Sequence, residues 1–117
     1  MTFDATTLAS LRTTREVRIH AGKARPVVIW IVVVDAAAFV RSVRGPKGRW
    51  YVTARADGRA VLEIGGQEYA VRVTPVADPA VLEPVSQAFL TKYATSPYAK
   101  SMVSQDTVRT TLRLDSL

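Results

Sequence analysis

The run of eight residues from Val27 to Val34 restricts how this chain can fold more than any other feature. The run carries no charge, and seven of its residues are valine or isoleucine. Such β-branched side chains favour a pleated strand, and the run is far shorter than the ~20 residues that a membrane span needs. It therefore predicts one strand with apolar side chains on both faces, each of which needs a cover.

The residues after this run predict a hairpin. Asp35 and the three alanines that follow it are expected to form a turn, and residues 39–44 alternate in polarity as a returning strand does. A loop with two glycines, one proline and two cations follows at residues 45–49. Strands joined in this way pair antiparallel.

Cations are concentrated around this predicted hairpin. Residues 21–50 carry six cations and a single acid, Asp35. An antiparallel hairpin would bring Lys23 and Arg25, before the first strand, close to Arg44 and Lys47, after the second. Guanidinium groups bind phosphate oxygens well, so the cluster predicts an anion site. The alternative is a set of solvated charges that protect a sheet edge from aggregation.

Length and composition indicate one globular domain, residues 1–117, of which 48% are hydrophobic. A net charge of +6 favours anionic partners, such as phosphorylated cofactors or nucleic acid. The chain has no cysteine, and its one histidine, His20, falls on the polar face of a predicted strand, so no metal site and no catalytic residue is assigned. The first ten residues lack the pattern of a secretory signal, so we expect a cytoplasmic protein with no membrane span.

The rest of the chain predicts further strands and helices. Residue pairs typical of helix starts and hairpin turns are Asp78-Pro79, Ser96-Pro97 and Gly65-Gly66. Pro84 predicts a kink in the helix after Pro79, or a start near Glu83. The expected elements are a helix at 3–11 capped by Asp4, strands at 13–20, 60–64, 67–76 and 107–114, and helices at 79–93 and 98–103. With the hairpin this makes six strands in a small closed or split antiparallel barrel, while residues 48–57 fit a strand or a helix.

Short motifs along almost the whole chain resemble the bacterial family known as domain of unknown function 2255. They are Ile29-Trp30, Val40-Arg41-Ser42, Arg44-Gly45, Trp50-Tyr51, Lys92-Tyr93 and Thr111-Leu112-Arg113-Leu114. Residues 48–76 also resemble the middle of deazaflavin-dependent nitroreductases. Such proteins are similar to flavin-binding split barrels, which are usually dimers with the cofactor in the groove between subunits. The resemblance implies an α+β fold: a small antiparallel six-stranded split β-barrel, a short N-terminal helix, C-terminal helices packed outside, and a helix at 48–56.

The resemblance also implies a cofactor site for FMN or a deazaflavin. Lys23 and Arg25 match the phosphate-binding turn of the nitroreductases, although Ala24 replaces its usual serine. We expect no counterpart of the long N-terminal segment with which nitroreductases cover their cofactor, and this expectation argues against that activity more than against the fold. The cofactor-binding residues predicted from the pattern and the resemblance together are Lys23, Arg25, Arg41, Ser42, Arg44, Lys47 and Trp50.

Three functions are therefore open. The first is a redox protein that grips a flavin or deazaflavin, and if the protein is an enzyme, we expect an oxidoreductase of this kind with Tyr51 or Tyr98 as candidate proton donors. The second is a non-enzymatic carrier of an anionic cofactor or ligand. The third is a small nucleic-acid-binding barrel, which lacks the exposed aromatic residues needed to stack bases. A homodimer is expected, in which a second copy covers the outer face of 27–34 and part of the helix at 81–93.

Overall fold

The computed structural model describes residues 3–117, which form one antiparallel sheet and several short helices. The strands are β1 (Val17–His20), β2 (Val27–Ile29), β3 (Ile31–Val34), β4 (Ala37–Val40), β5 (Arg59–Ile64), β6 (Gln67–Pro75) and β7 (Leu112–Ser116). The helices are α1 (Ala5–Thr13), α2 (Arg49–Asp57), α3 (Pro79–Lys92) and α4 (Gln105–Val108), with 3₁₀ turns at Gly45–Lys47 and Ala99–Val103. The sheet order is β2-β1-β5-β6-β7-β4-β3, a nearly closed barrel. The predicted α+β barrel is confirmed, but it has seven strands rather than six.

The seventh strand results from a break at Trp30 in the predicted strand 27–34. β2 pairs with β1 at one edge of the sheet, and β3 pairs with β4 at the other edge. One segment of chain therefore supplies both edge strands. Beside the break, Ile31 N–H donates to the Tyr93 hydroxyl at 3.2 Å, so a side chain satisfies a backbone donor where the pairing changes.

The apolar side chains of the sheet divide between two cores. Ile31 points into the barrel, among the inward residues of the other strands. Val32 and Phe39 lie on the outer face, where α3 covers them with Val85 and Phe89. The outer face of β3 is thus covered by the same chain, and the expectation that a second copy covers it is wrong for this strand.

The returning strand of the hairpin is shorter than predicted. Asp35 adopts a positive φ of 54° in the tight turn, and β4 ends at Val40 rather than Arg44. Its pairing with β7 also ends at Val40, after which Ser42 N–H donates to Thr110 Oγ1 at 2.8 Å. The chain then leaves the sheet, because a threonine hydroxyl replaces the next strand partner.

Several predicted helix starts are confirmed. The Asp4 carboxylate accepts from Thr7 N–H at 2.7 Å at the start of α1, and Asp78 accepts from Ala80 N–H at 3.0 Å at the start of α3. Helix α3 runs unbroken from Pro79 to Lys92, so a start near Glu83 is wrong. Residues 49–57 form a helix, as the resemblance implied.

The predicted strand at 107–114 begins only at Leu112. Thr110 Oγ1 donates to the Thr107 carbonyl at 2.6 Å, and Thr111 Oγ1 donates to the Val108 carbonyl at 2.7 Å. These local bonds compete with strand pairing and hold the chain in a turn after α4. Periodicity alone does not reveal them.

The end of α3 is tied to the break at Trp30 and to α1. Lys92 Nζ donates to the Ile31 carbonyl at 2.7 Å and to the Leu11 carbonyl at 2.8 Å. Burial, and less strongly the charge of Arg15, lowers the pKa of Lys92 to about 8. Within residues 3–117, no helix is long and apolar enough to span a membrane.

The lowered pKa of Lys92 predicts how stability depends on pH. Between about pH 8 and 10.5 the unfolded chain binds more protons at this residue than the folded chain, so the free energy of unfolding rises with pH. The pKa of Tyr93 is raised from 10.0 to about 12, mainly by burial, so its contribution stays constant up to about pH 9 and decreases above it in the wild type and Lys92→Met alike. Urea titrations from pH 7.5 to 10 should show this rise in the wild type and not in Lys92→Met. Parallel profiles of the two proteins would contradict it.

Candidate functional site

A pocket of about 630 Å³ opens between residues 27–30 on one side and residues 41–44 and 48–50 on the other. Tyr98 and Met102 complete its wall. The lining is mostly apolar and includes both tryptophans of the chain, Trp30 and Trp50. This volume lies in the range of pockets that bind cofactors and other small molecules.

Trp30 forms a planar part of this wall. Its ring stacks on Tyr93 with centroids 4.0 Å apart and planes inclined by 3°. Tyr93 is fully buried, and its hydroxyl bonds with the backbone of Arg15 and Ile31. The break that creates β2 and β3 therefore fixes a tryptophan beside the pocket. The signal in the sequence was that Trp30 is the one residue in the run that is not β-branched.

Arg41 is a buried cation at the back of the pocket, with 1% of its surface exposed. The guanidinium donates to Thr111 Oγ1, Ser86 Oγ and the carbonyls of Met102 and Leu82, at 2.8–3.1 Å. Burial lowers its pKa to about 10, and the charge of Glu83 partly opposes this. The contacts of Arg41 are thus with protein groups from α3 and the segments around it, which fix the helix against β4.

Ser42 and Gly48 form a close pair next to Arg41. Ser42 is 1% exposed, and its Oγ has no hydrogen-bond partner among residues 3–117. A Cβ added to Gly48 would overlap this oxygen, although the backbone of Gly48 is one that alanine also adopts. Only glycine leaves room here for the serine hydroxyl. An unpaired buried hydroxyl costs about 1–3 kcal/mol, so the arrangement calls for an explanation.

Helix α2 begins at this pair, at the edge of the pocket. Gly48 is its N-cap, and no side chain caps the helix within the described chain. Arg44 and Arg49 are exposed and line the pocket on either side of this helix end. Arg49 is one of the six cations that predicted an anion site around the hairpin, although it was not among the seven predicted cofactor-binding residues.

The structure brings together four of the seven predicted site residues. Those that line the pocket are Arg41, Ser42, Arg44 and Trp50. Lys23 and Arg25 lie in the exposed turn between β1 and β2, where Gly22 faces Thr53 of α2, and Lys47 lies in the 3₁₀ turn before α2. These three cations are outside the pocket lining.

Exposed apolar residues surround the pocket mouth, and periodicity did not identify them. Val28 is 49% exposed, Val43 59% and Tyr98 68%. Residues 27–29 read as core in the sequence, and only the tertiary structure shows that β2 is an edge strand. His20 lies away from the pocket, 3.4 Å from Glu68, and residues 3–117 contain no group of three possible metal ligands.

The sheet, its helices and this pocket define a split β-barrel with an open cavity of about 630 Å³. The chain belongs to the family DUF2255, uncharacterized proteins conserved in bacteria, whose pattern it matches over residues 7–114. The family suggested by the short motifs is thus confirmed. No curated protein matches the chain.

Solved structures with the same fold come from several bacteria. A conserved hypothetical protein of Mycobacterium tuberculosis has a TM-score of 0.62 at 16% identity, covering 97% of this chain and 79% of its own. The heme storage protein HutZ of Vibrio cholerae has a TM-score of 0.57 at 13% identity, with coverage of 100% and 92%. An FAD-binding protein of Mesorhizobium loti has a TM-score of 0.56 at 16% identity, with coverage of 97% and 88%. At such low identity these similarities establish the fold.

Proposed function

We propose that the pocket binds FMN or a deazaflavin and that the protein is a cytoplasmic redox protein. The observation that carries the proposal is the pocket of about 630 Å³, with Trp30 and Trp50 in its wall and Arg44 and Arg49 beside it. Planar aromatic ligands pack on such walls, and guanidinium groups suit the phosphate that these cofactors carry. The shared fold of an FAD-binding protein supports the choice of ligand class.

The residues present fit such a cofactor. Apolar side chains of 27–30 and Met102 can cover the ring and exclude water, while Ser42, with its unpaired hydroxyl, and Gly48 line the pocket together with the two arginines. A bound flavin would supply the electron or hydride transfer itself. The part of this chain would be to hold the ring against Trp30 and to keep the phosphate in place.

A carrier without catalysis is the second candidate function. The pocket lining contains no carboxylate and no histidine, and Tyr98 is the one lining residue with a phenolic proton. A site with so few acid–base groups can bind a ligand without transforming it. HutZ, a heme storage protein, shares the fold.

The binding proposal is tested with FMN, the deazaflavin cofactor and riboflavin. Tryptophan fluorescence should be quenched on binding, because Trp30 and Trp50 both line the pocket. We expect at least one of the three ligands to quench the fluorescence of the wild type saturably, and to quench that of Trp30→Leu less. Arg59→Ala, which changes an exposed cation outside the pocket, is the matched control. A protein that no flavin or deazaflavin quenches would contradict this function.

A homodimer is part of the same proposal, with a second copy on the exposed apolar residues at the pocket mouth. Val27 and Val28 lie on the edge strand β2, and Val43 and Tyr98 lie nearby around the same opening. A cluster of exposed apolar side chains is typical of an interface. Sedimentation at micromolar concentration should show a dimer that Val28→Asp converts to a monomer. A monomeric wild type would contradict the interface without excluding the pocket.

A further inference from the structure

We propose that the N-terminus of α2, together with Ser42, binds a terminal phosphate, that is, a phosphomonoester. The inference rests on the proposed function for the rest of the ligand, whereas the phosphate site has its own evidence. It places the anion at a helix end rather than in the turn with Lys23 and Arg25. It also selects among flavins, in favour of one whose phosphate is unsubstituted.

The start of α2 has the electrostatics that an anion needs. The first N–H groups of any helix have no partner within it and carry a partial positive charge. The carboxylates of Asp4 and Asp78 accept from such N–H groups at α1 and α3. Helix α2 instead has Gly48, which has no side chain, as its N-cap, and no acid in its first turn. The helix is nine residues long, enough for its dipole to act at this end.

The unpaired hydroxyl of Ser42 is an independent observation that points to a ligand at the start of α2. Its hydroxyl is buried, has no partner among residues 3–117, and lies against the N-cap glycine of α2. The side chains of the neighbouring Arg41, Thr110 and Thr111 all find protein partners. A phosphate oxygen at the helix end would accept from this hydroxyl and from the free N–H groups, which removes the cost of leaving the hydroxyl unpaired.

The charges around the helix end favour a dianion. Arg44 precedes α2, Arg49 is its first residue, and both line the pocket, while Arg41 is a buried cation behind Ser42. One acid near this loop is Asp106, whose Cβ would lie 3.5 Å from a Cβ placed on Gly45 and whose carboxylate pairs with Arg109 at 3.9 Å. A phosphomonoester carries a charge of about −1.5 to −2 at pH 7. Each phosphate of the FAD diphosphate has one ester and one anhydride bond, carries one charge and offers one free oxygen fewer than a phosphomonoester, so FAD should bind less well than FMN.

The experiment compares FMN, riboflavin and FAD on wild type, Ser42→Ala and the control Arg59→Ala, by calorimetry and tryptophan quenching. In wild type FMN should bind at least about tenfold more tightly than riboflavin, because charge-assisted hydrogen bonds are lost without the phosphate. Ser42→Ala should weaken FMN binding by about tenfold and leave riboflavin unchanged. Arg59→Ala should leave all three affinities unchanged.

A second variant places a methyl group in the space that the Ser42 oxygen occupies in the wild type. In Ser42→Ala/Gly48→Ala, the clash with the serine oxygen is removed and a methyl group lies at the helix end, so FMN affinity should fall to that of riboflavin. Equal affinity for FMN and riboflavin in wild type, or FAD binding as tightly as FMN, would overturn the phosphate site while leaving flavin binding intact.

The phosphate site is also tested when no flavin binds. Inorganic phosphate alone should then shift the amide NMR signals of Arg49 and Trp50 in wild type, and not in the double variant. Such a shift supports the site although the proposed flavin function fails. Unshifted signals at tens of millimolar phosphate would overturn the site as well.

Discussion

Replacing Arg41 with alanine is expected to lower the free energy of unfolding by about 3–5 kcal/mol, from the cavity and the lost hydrogen bonds together. The guanidinium joins β4 to α3 through Ser86 and the Leu82 carbonyl, and to the next segments through the Met102 carbonyl and Thr111. Its removal leaves a large void at the back of the pocket and takes a charged donor from each of these acceptors. Urea denaturation at pH 7 measures the loss.

Two variants separate the origins of this effect. Because burial lowers the pKa of Arg41 to about 10, its charge is held at a cost that the hydrogen bonds offset. Arg41→Met removes charge and bonds but keeps much of the volume, so its loss should be smaller than that of alanine. Arg59→Ala removes an exposed cation and should change the free energy of unfolding by less than about 0.5 kcal/mol. An alanine variant as stable as wild type would show that the four bonds do not stabilise the packing of α3 and the neighbouring segments against β4.

Replacing Trp50 with alanine is expected to cost about 3–5 kcal/mol of folding free energy, as large-to-small changes at buried tryptophans do. Trp50 is 8% exposed and belongs to the barrel core, where its ring meets Tyr51 edge-on at a centroid distance of 6.2 Å. The same ring lines the pocket, so this variant should also bind ligand more weakly. Denaturant midpoints and flavin quenching measure the two effects.

Val52 provides the control for Trp50 on the same helix. It is 51% exposed, and Val52→Ala should change stability by less than about 0.5 kcal/mol and leave binding unchanged. If Trp50→Ala kept the wild-type midpoint but bound ligand poorly, the ring would serve the ligand alone. That result would contradict its role as the anchor of α2.

The sequence was most informative where local chemistry decides the structure. Asp4 and Asp78 cap helices as expected, and Gly65 and Gly66 take the positive φ values of 56° and 85° that the tight turn between β5 and β6 needs. Alternating apolar residues placed β5 and β6 correctly, apart from their ends. These features depend on neighbours within a few residues, which a sequence displays directly.

Sequence patterns were wrong or silent where a distant side chain decides the structure. The predicted strand 27–34 breaks at Trp30, where the Tyr93 hydroxyl bonds to the Ile31 backbone and the Tyr93 ring stacks on the indole. Sequence periodicity does not predict a contact between residues 62 positions apart. Of the four cations that were expected to converge, Arg44 lines the pocket, whereas Lys23, Arg25 and Lys47 lie outside its lining.

Composition and residue pattern were enough to indicate a basic, cysteine-free antiparallel barrel with Arg41, Ser42, Arg44 and Trp50 near one another in the chain. The environment of each of these residues follows from the packing of the folded chain. Arg41 lies beneath α3 and bonds to it, whereas Arg44 stays exposed at the pocket, because β4 ends at Val40 and the chain turns away from the sheet. Two arginines three positions apart thus lie in different environments. Burial and hydrogen-bond partners depend on the packing of elements far apart in sequence. They decide whether a cation stabilises the fold or stays free to bind a ligand.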